Sequence, residues 1–101
     1  MKLYEILVPT IYGDTLKPIS TAHHKNWDAE VRKITNGLTI LKPAKGQWLH
    51  ESKLYEERTI PVRIACGPIQ MNKIVDLTLR HYRQKAVMYY LISEDCHIVY
   101  A

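Results

Sequence analysis

Glu57 and Arg63 stand six residues apart in "EERTIPVR", on the same side of a stretch that reads as extended. A carboxylate there could serve as acid or base, and the guanidinium could clamp an anion or a polarised carbonyl. His81, near the end of a later helical stretch, is a third group able to move a proton near neutral pH. Glu5, Tyr55 and Tyr89 form a second set, one carboxylate and two phenols suited to holding a ligand. A plainer role competes in each case, with the charges as ion-pair or interface residues and the tyrosines as packing, and it is the better supported one.

Other chemistries find less support. His23 and His24 are neighbours, about 100° apart on a helix, and no HxH or HxxxH spacing occurs, so no metal site is expected. A site drawn from His50, His81 and His97 is weaker than three satisfied or solvated rings. Cys66 and Cys96, 30 positions apart, lack paired metal or redox spacing and read as free thiols. There is no GxSxG elbow and no glycine-rich phosphate loop, although "CGPIQ" opens a helix where a small anion could rest. No cofactor is expected.

Composition narrows the classes further. The chain has 101 residues, 47% of them hydrophobic, enough for one domain (1–101) with one core. The net charge of +4 comes from 14 basic and 10 acidic residues scattered along the chain, and there is no phenylalanine. Single-stranded nucleic-acid binding is therefore a distant alternative, without the aromatic signature of sheet-face RNA binders. Apolar stretches stay under about 10 residues, where a membrane helix needs about 20, and "MKLYEILVPT" has no small-residue cleavage site. No membrane association and a cytoplasmic location are expected.

The elements that must position these groups follow from periodicity. "KLYEILVP" alternates Tyr4, Ile6 and Val8 with Leu3, Glu5 and Leu7 and reads as a strand. Ser20 caps a helix whose stripe is His23, Trp27, Val31 and Ile34, ending at Asn36 and Gly37. "LTILKP" and "KGQWLHESKLYEERTIPVRIAC" read as strands with a turn at "HESK" and a long second arm. Pro61 in that arm predicts a local irregularity, because it cannot donate to a ladder. A second helix spans 67–85 with Met71, Ile74, Val75, Thr78 and Tyr82 inward, then strand "AVMYYLIS" (86–93), a turn at Glu94 and Asp95, and a short final strand "CHIVYA".

This order predicts an α+β, ferredoxin-like β-α-β-β-α-β fold with an extra C-terminal strand, two helices lying on one face of an antiparallel sheet. The other face would carry Leu3, Glu5, Leu7, Tyr55, Glu57, Thr59 and Arg63, with either the Val87, Tyr89, Leu91 set or the Met88, Tyr90, Ile92 set. That is too apolar to leave in water, so a homodimer is expected, sheet against sheet.

"NGLTIL", "KGQW" and "YEERTIPVRI", within residues 20–66, resemble small uncharacterised bacterial proteins of the ferredoxin-like or dimeric α+β barrel type. The resemblance implies this fold and a tendency to oligomerise. Related folds include cofactor-free monooxygenases, isomerases and PII-like small-molecule regulators. The expected function is a homodimer binding a small molecule or a protein partner through its sheet face. The alternative is a small cofactor-independent enzyme with Glu57 as acid/base and Arg63 as clamp. Whether the chain is an enzyme is left open by its residues.

Overall fold

The computed structural model describes all 101 residues. Strand β1 (Lys2–Pro9) is followed by helix α1 (Thr21–Thr35), short strand β2 (Thr39–Ile40) and strand β3 (Ala44–His50). Strand β4 (Lys53–Cys66), helix α2 (Pro68–His81) and strand β5 (Tyr89–Ser93) complete the order. The sheet is antiparallel, ordered β2-β4-β1-β5, with β3 also paired to β4 on the β2 side. Two helices cover one face, which is the ferredoxin-like arrangement.

Local chemistry sets the boundaries. The Ser20 hydroxyl accepts the His23 amide to start α1, and Asn36, in the left-handed region at φ 70°, ends it. Pro68 opens α2, and the Gln70 side chain accepts the Gly67 amide. α2 stops at His81, four residues before the expected end. Arg83 turns left-handed at φ 51°, while its amide reaches Arg80 O and that of Gln84 reaches Leu79 O. That is the Schellman closure, built here without glycine.

The β3–β4 hairpin turns at Glu51 and Ser52, both at positive φ as a two-residue hairpin turn requires, and its arm stretches the molecule to 50 × 28 × 24 Å. The irregularity expected at Pro61 appears in the strand beside it. Ile40 pairs with Val62 and Ala44 with Thr59, so three residues, 41–43, oppose two. Pro61 accepts from the Leu41 amide, so its nitrogen also faces this break, and its register with Leu7 on β1 continues undisturbed.

The core lies between helices and sheet, with Tyr4, Ile6, Val8, Val62, Ile64 and Cys66 packed against Trp27, Val31, Met71, Ile74 and Tyr82. Trp27 is 1% exposed and its indole N–H donates to the Thr78 hydroxyl at 3.1 Å, which in turn donates to Ile74 O. A large buried ring thus keeps its polar edge satisfied.

Two expectations for the C-terminal half are corrected. Strand β5 begins at Tyr89 rather than Ala86, because residues 84–88 are drawn into the loop after α2. The segment 96–101, expected as a further strand, has no ladder. Its Cys96 exchanges two backbone bonds with Met1, and Ile98 and Tyr100 lie beside Leu3, Leu38 and Ala65 on the helix-free face. The fifth strand of the sheet comes instead from the division of the first hairpin arm into β2 and β3.

Candidate functional site

The groups expected to act together are distributed along the sheet. Glu57 and Arg63 share a face of β4, but six residues at about 3.3 Å each separate them by about 20 Å, too far to work on one small substrate. Arg63 is bound instead to Glu5: its Nε lies 3.0 Å from Glu5 Oε1, across a cross-strand pair of β1 and β4. The Tyr90 hydroxyl donates to the other oxygen of that carboxylate. Glu5, with its side chain 8% exposed, is therefore a buried, fully partnered charge whose lone pairs face protein donors.

The same register assigns the faces of β5. Tyr90 stands opposite Glu5 and occupies the helix-free face, whereas Tyr89 stands opposite Ile6, its ring 6.2 Å from that of Tyr4, on the helix side. Tyr89 does not share a face with Glu5; its neighbour Tyr90 holds the place expected of it. Tyr55 lies on the hairpin arm, stacked on Trp48 at 5.4 Å with Lys53 over its ring. Glu5, Tyr55 and Tyr89 thus occupy three separate places.

What the sheet does offer is a set of open concavities that meet at Glu57. One, of about 240 Å³, is lined by Leu7, Pro9, Thr59, Gln84 and Met88. A second, of about 360 Å³, is walled by Thr10, Tyr12, Leu16, Arg58 and Gln84. A third lies toward the arm, with Pro43, Lys45 and Glu56. Glu56 is engaged by Lys45 at 3.4 Å and by the Gln47 amide, while the exposed Glu57 carboxylate has no ion-pair partner. Strand residues form the floor and loops the outer wall: Gly13 N–H donates to Tyr82 O, Gln84 to Ile11 O, and the Arg83 guanidinium lies 4.4 Å from the Tyr12 ring and 3.3 Å from Asp14. The 10–19 and 82–88 segments are thereby tied into one rim.

His81 lies behind that rim, at the end of α2, in a cluster that sequence reading dispersed. Its ring stacks on His23 at 3.8 Å and 18°, while His23 Nε2 lies 2.7 Å from His81 O and His81 Nε2 lies 2.8 Å from His23 O. A carbonyl only accepts, so both Nε2 atoms carry hydrogen. Beside them the His24 Nδ1 bonds to the buried Tyr82 hydroxyl at 2.7 Å. Burial lowers the His24 and His81 imidazoles and raises Asp28 and the Tyr82 phenol. No three His, Cys, Asp or Glu side chains converge as a metal site would require. The 58-residue separation of partners hides the cluster; its only trace is His23 on the apolar stripe of α1.

Both cysteines are free thiols, Cys66 buried in the core, where burial raises its pKa. No helix is long and apolar enough to cross a membrane.

No protein-family model and no curated protein matches the chain. Solved structures do. The periplasmic divalent cation tolerance protein CutA from Archaeoglobus fulgidus superposes with TM-score 0.67 at 11% identity, over 96% of this chain and 86% of that one. CutA1 from the psychrotrophic bacterium Shewanella sp. SIB1 gives 0.69 at 9%, over 96% and 83%. The PII-like protein CutA from Nostoc sp. PCC 7120 gives 0.62 at 10%, over 94% and 82%. The similarity runs over nearly the whole chain, and with two helices on one face of a five-stranded antiparallel sheet the chain has the ferredoxin-like α+β fold of the CutA proteins.

Proposed function

We propose that this chain is the subunit of a closed homo-oligomer, the dimer being its smallest form, that binds a small molecule in the concavities meeting at Glu57. One observation carries the reading: Met88 to Ile92, five consecutive large apolar residues on an edge strand, are each 37–63% exposed on the single chain. Both faces of β5 are open because the helices lie over β1 and β4. Trp48, Leu49 and Leu54 on the arm are also open. Surface of this kind on a small protein is an interface in waiting.

Assembly would also convert open concavities into a ligand site. The Met88 wall lies next to β5, so a copy seated on that strand would roof the space around Glu57, Gln84 and Thr59. The PII-like description of the Nostoc structure agrees with a binding rather than a catalytic role, and the distance between Glu57 and Arg63 weighs against the acid-and-clamp enzyme. The divalent-cation description of the Archaeoglobus structure makes a metal ion one ligand to try at the unpartnered Glu57 carboxylate. The two free thiols suit a reducing cytoplasm.

Light scattering on the purified chain tests the assembly. A mass of two or more whole chains of 11.8 kDa supports the reading, and a stable monomer at 11.8 kDa overturns it. For the ligand, calorimetry with Mn²⁺ on wild type and Glu57→Gln should show heat that the variant loses. Equal heats would remove Glu57 from the site.

A further inference from the structure

The start of α1 and the end of α2 are joined by an arrangement that the proposed binding function does not use. His23 and His81 clasp each other reciprocally, each ring donating from Nε2 to the other's backbone carbonyl, with the rings in face contact. The pair therefore links two helices at their ends with two side-chain bonds and one stack. In each ring only Nδ1 is left to take up a proton.

The surroundings decide what that proton does. The 10–19 loop brings Tyr12, whose ring lies 5.3 Å from His23. α1 contributes His24, Asp28 and Glu30, and α2 with its following residues contributes Tyr82 and Arg83, the last held over Tyr12 and paired with Asp14. One added proton leaves a cation stacked on a neutral ring, which is tolerated. A second would set two imidazolium ions face to face at 3.8 Å, half-buried, with Asp28 and Glu30 on α1 as counter-charges and Asp14 already engaged by Arg83.

We propose that the stacked His23–His81 pair is a pH-operated clasp: held with at most one proton, it fixes the 10–19 loop, and loaded with two it opens and lets that loop loosen. Tyr12 sits on His23 and the Gly13 amide is bound to Tyr82 O, one residue beyond His81, so separation of the rings reaches the loop directly. The lowering of His81 by burial agrees with a folded state that resists the charge. Since the loop walls the concavity at Glu57, the clasp would also set the shape of that site, and this last consequence rests on the binding function proposed above.

Amide hydrogen exchange without ligand separates the two claims. In wild-type protein, protection at the Gly13 and Ile19 amides, corrected for intrinsic exchange, should fall about tenfold between about pH 7.5 and about pH 5.5. His81→Gln keeps an amide donor for His23 O but cannot titrate, and its protection should be flat over that range. Unchanged protection in wild type, or the wild-type fall retained in the variant, would overturn the clasp. Should the variant not fold, the ring proton resonances of His23 and His81 provide the measurement. They must titrate over the same pH range in which Gly13 loses protection, and a mismatch overturns the proposal. Neither outcome depends on oligomeric state or on a ligand.

Discussion

Arg63 Nε reaches Glu5 Oε1 at 3.0 Å across neighbouring strands, and this pair holds the only buried carboxylate of the sheet in place. Arg63→Met leaves that carboxylate with the Tyr90 hydroxyl alone. The expected loss is about 2 kcal/mol, since removing one partner of a buried charge costs more than the pair contributes. Glu5→Gln combined with Arg63→Met should lose less than Arg63→Met alone. Urea unfolding of the four proteins of this double-mutant cycle measures the coupling, and additive losses would deny it.

Tyr89→Asp separates folding from assembly. Tyr89 is 40% exposed on the single chain, so a charge there is tolerated by the subunit and excluded from a covered interface. The far-ultraviolet dichroism should match wild type while the scattering mass falls to one chain. An oligomer of unchanged mass would mean that β5 is not the contact.

Thr78→Val removes the acceptor of the Trp27 indole N–H within a site that is fully buried. The isosteric change keeps the packing, so the expected cost of about 1–2 kcal/mol reports the unsatisfied indole donor together with the lost bond from the Thr78 hydroxyl to Ile74 O. Trp27 fluorescence during thermal unfolding reads it, and an unchanged midpoint would show that water reaches the indole.

Gly13→Ala tests the rim. A Cβ at Gly13 would lie 2.3 Å from Arg83 O, a backbone atom that cannot swing aside. The 10–19 and 82–88 segments should part, with a loss of about 1–3 kcal/mol. A crystal structure with both segments in place and stability unchanged would contradict the close approach.

Stability should fall as pH drops from about 6.5 toward 5. Burial places His24 and His81 below their usual value of 6.5, so in this range the unfolded chain binds more protons than the folded one. The contribution is complete above pH 6.5 and is lost as acid is added. Asp28, raised by burial, acts in the opposite sense just above the ordinary carboxylate value of 3.8, where the folded chain takes up its proton before the unfolded one, so the decline should slow as pH falls toward that value. Urea midpoints across this range measure it, and a midpoint that rises on acidification from 6.5 would refute the sign.

Helix starts, the hairpin turn and the apolar stripes were legible because each is decided within a few residues: Ser20 and Asn36 bracket α1, and Pro68 opens α2. The end of the second helix is not legible in the sequence, because its stop is made by Arg83, a residue with no intrinsic preference for the left-handed region. Facing relationships were less visible. Whether Tyr89 or Tyr90 joins Glu5 depends on a register that only the paired strand sets, and "CHIVYA" has strand composition without an edge to pair with. Among the candidate site residues, Glu57 follows the alternation of β4 and lines concavities with Leu7 and Thr59, whereas Arg63, His81, Tyr55 and Tyr89 share only residue type with a site, and type carries no distance.

The two edges of the sheet differ in how they would behave toward strangers. On one side the three-residue break opposite Pro61 divides the outer strand into short pieces that a foreign strand cannot follow in register. On the other side "YYLIS" presents an uncharged, proline-free row, the composition of a segment prone to cross-β stacking. A newly made chain therefore carries one protected and one adhesive edge. With the oligomer proposed above covering that edge, soluble yield should rise with the speed at which sister chains are made nearby, and dilute synthesis should favour inclusion bodies.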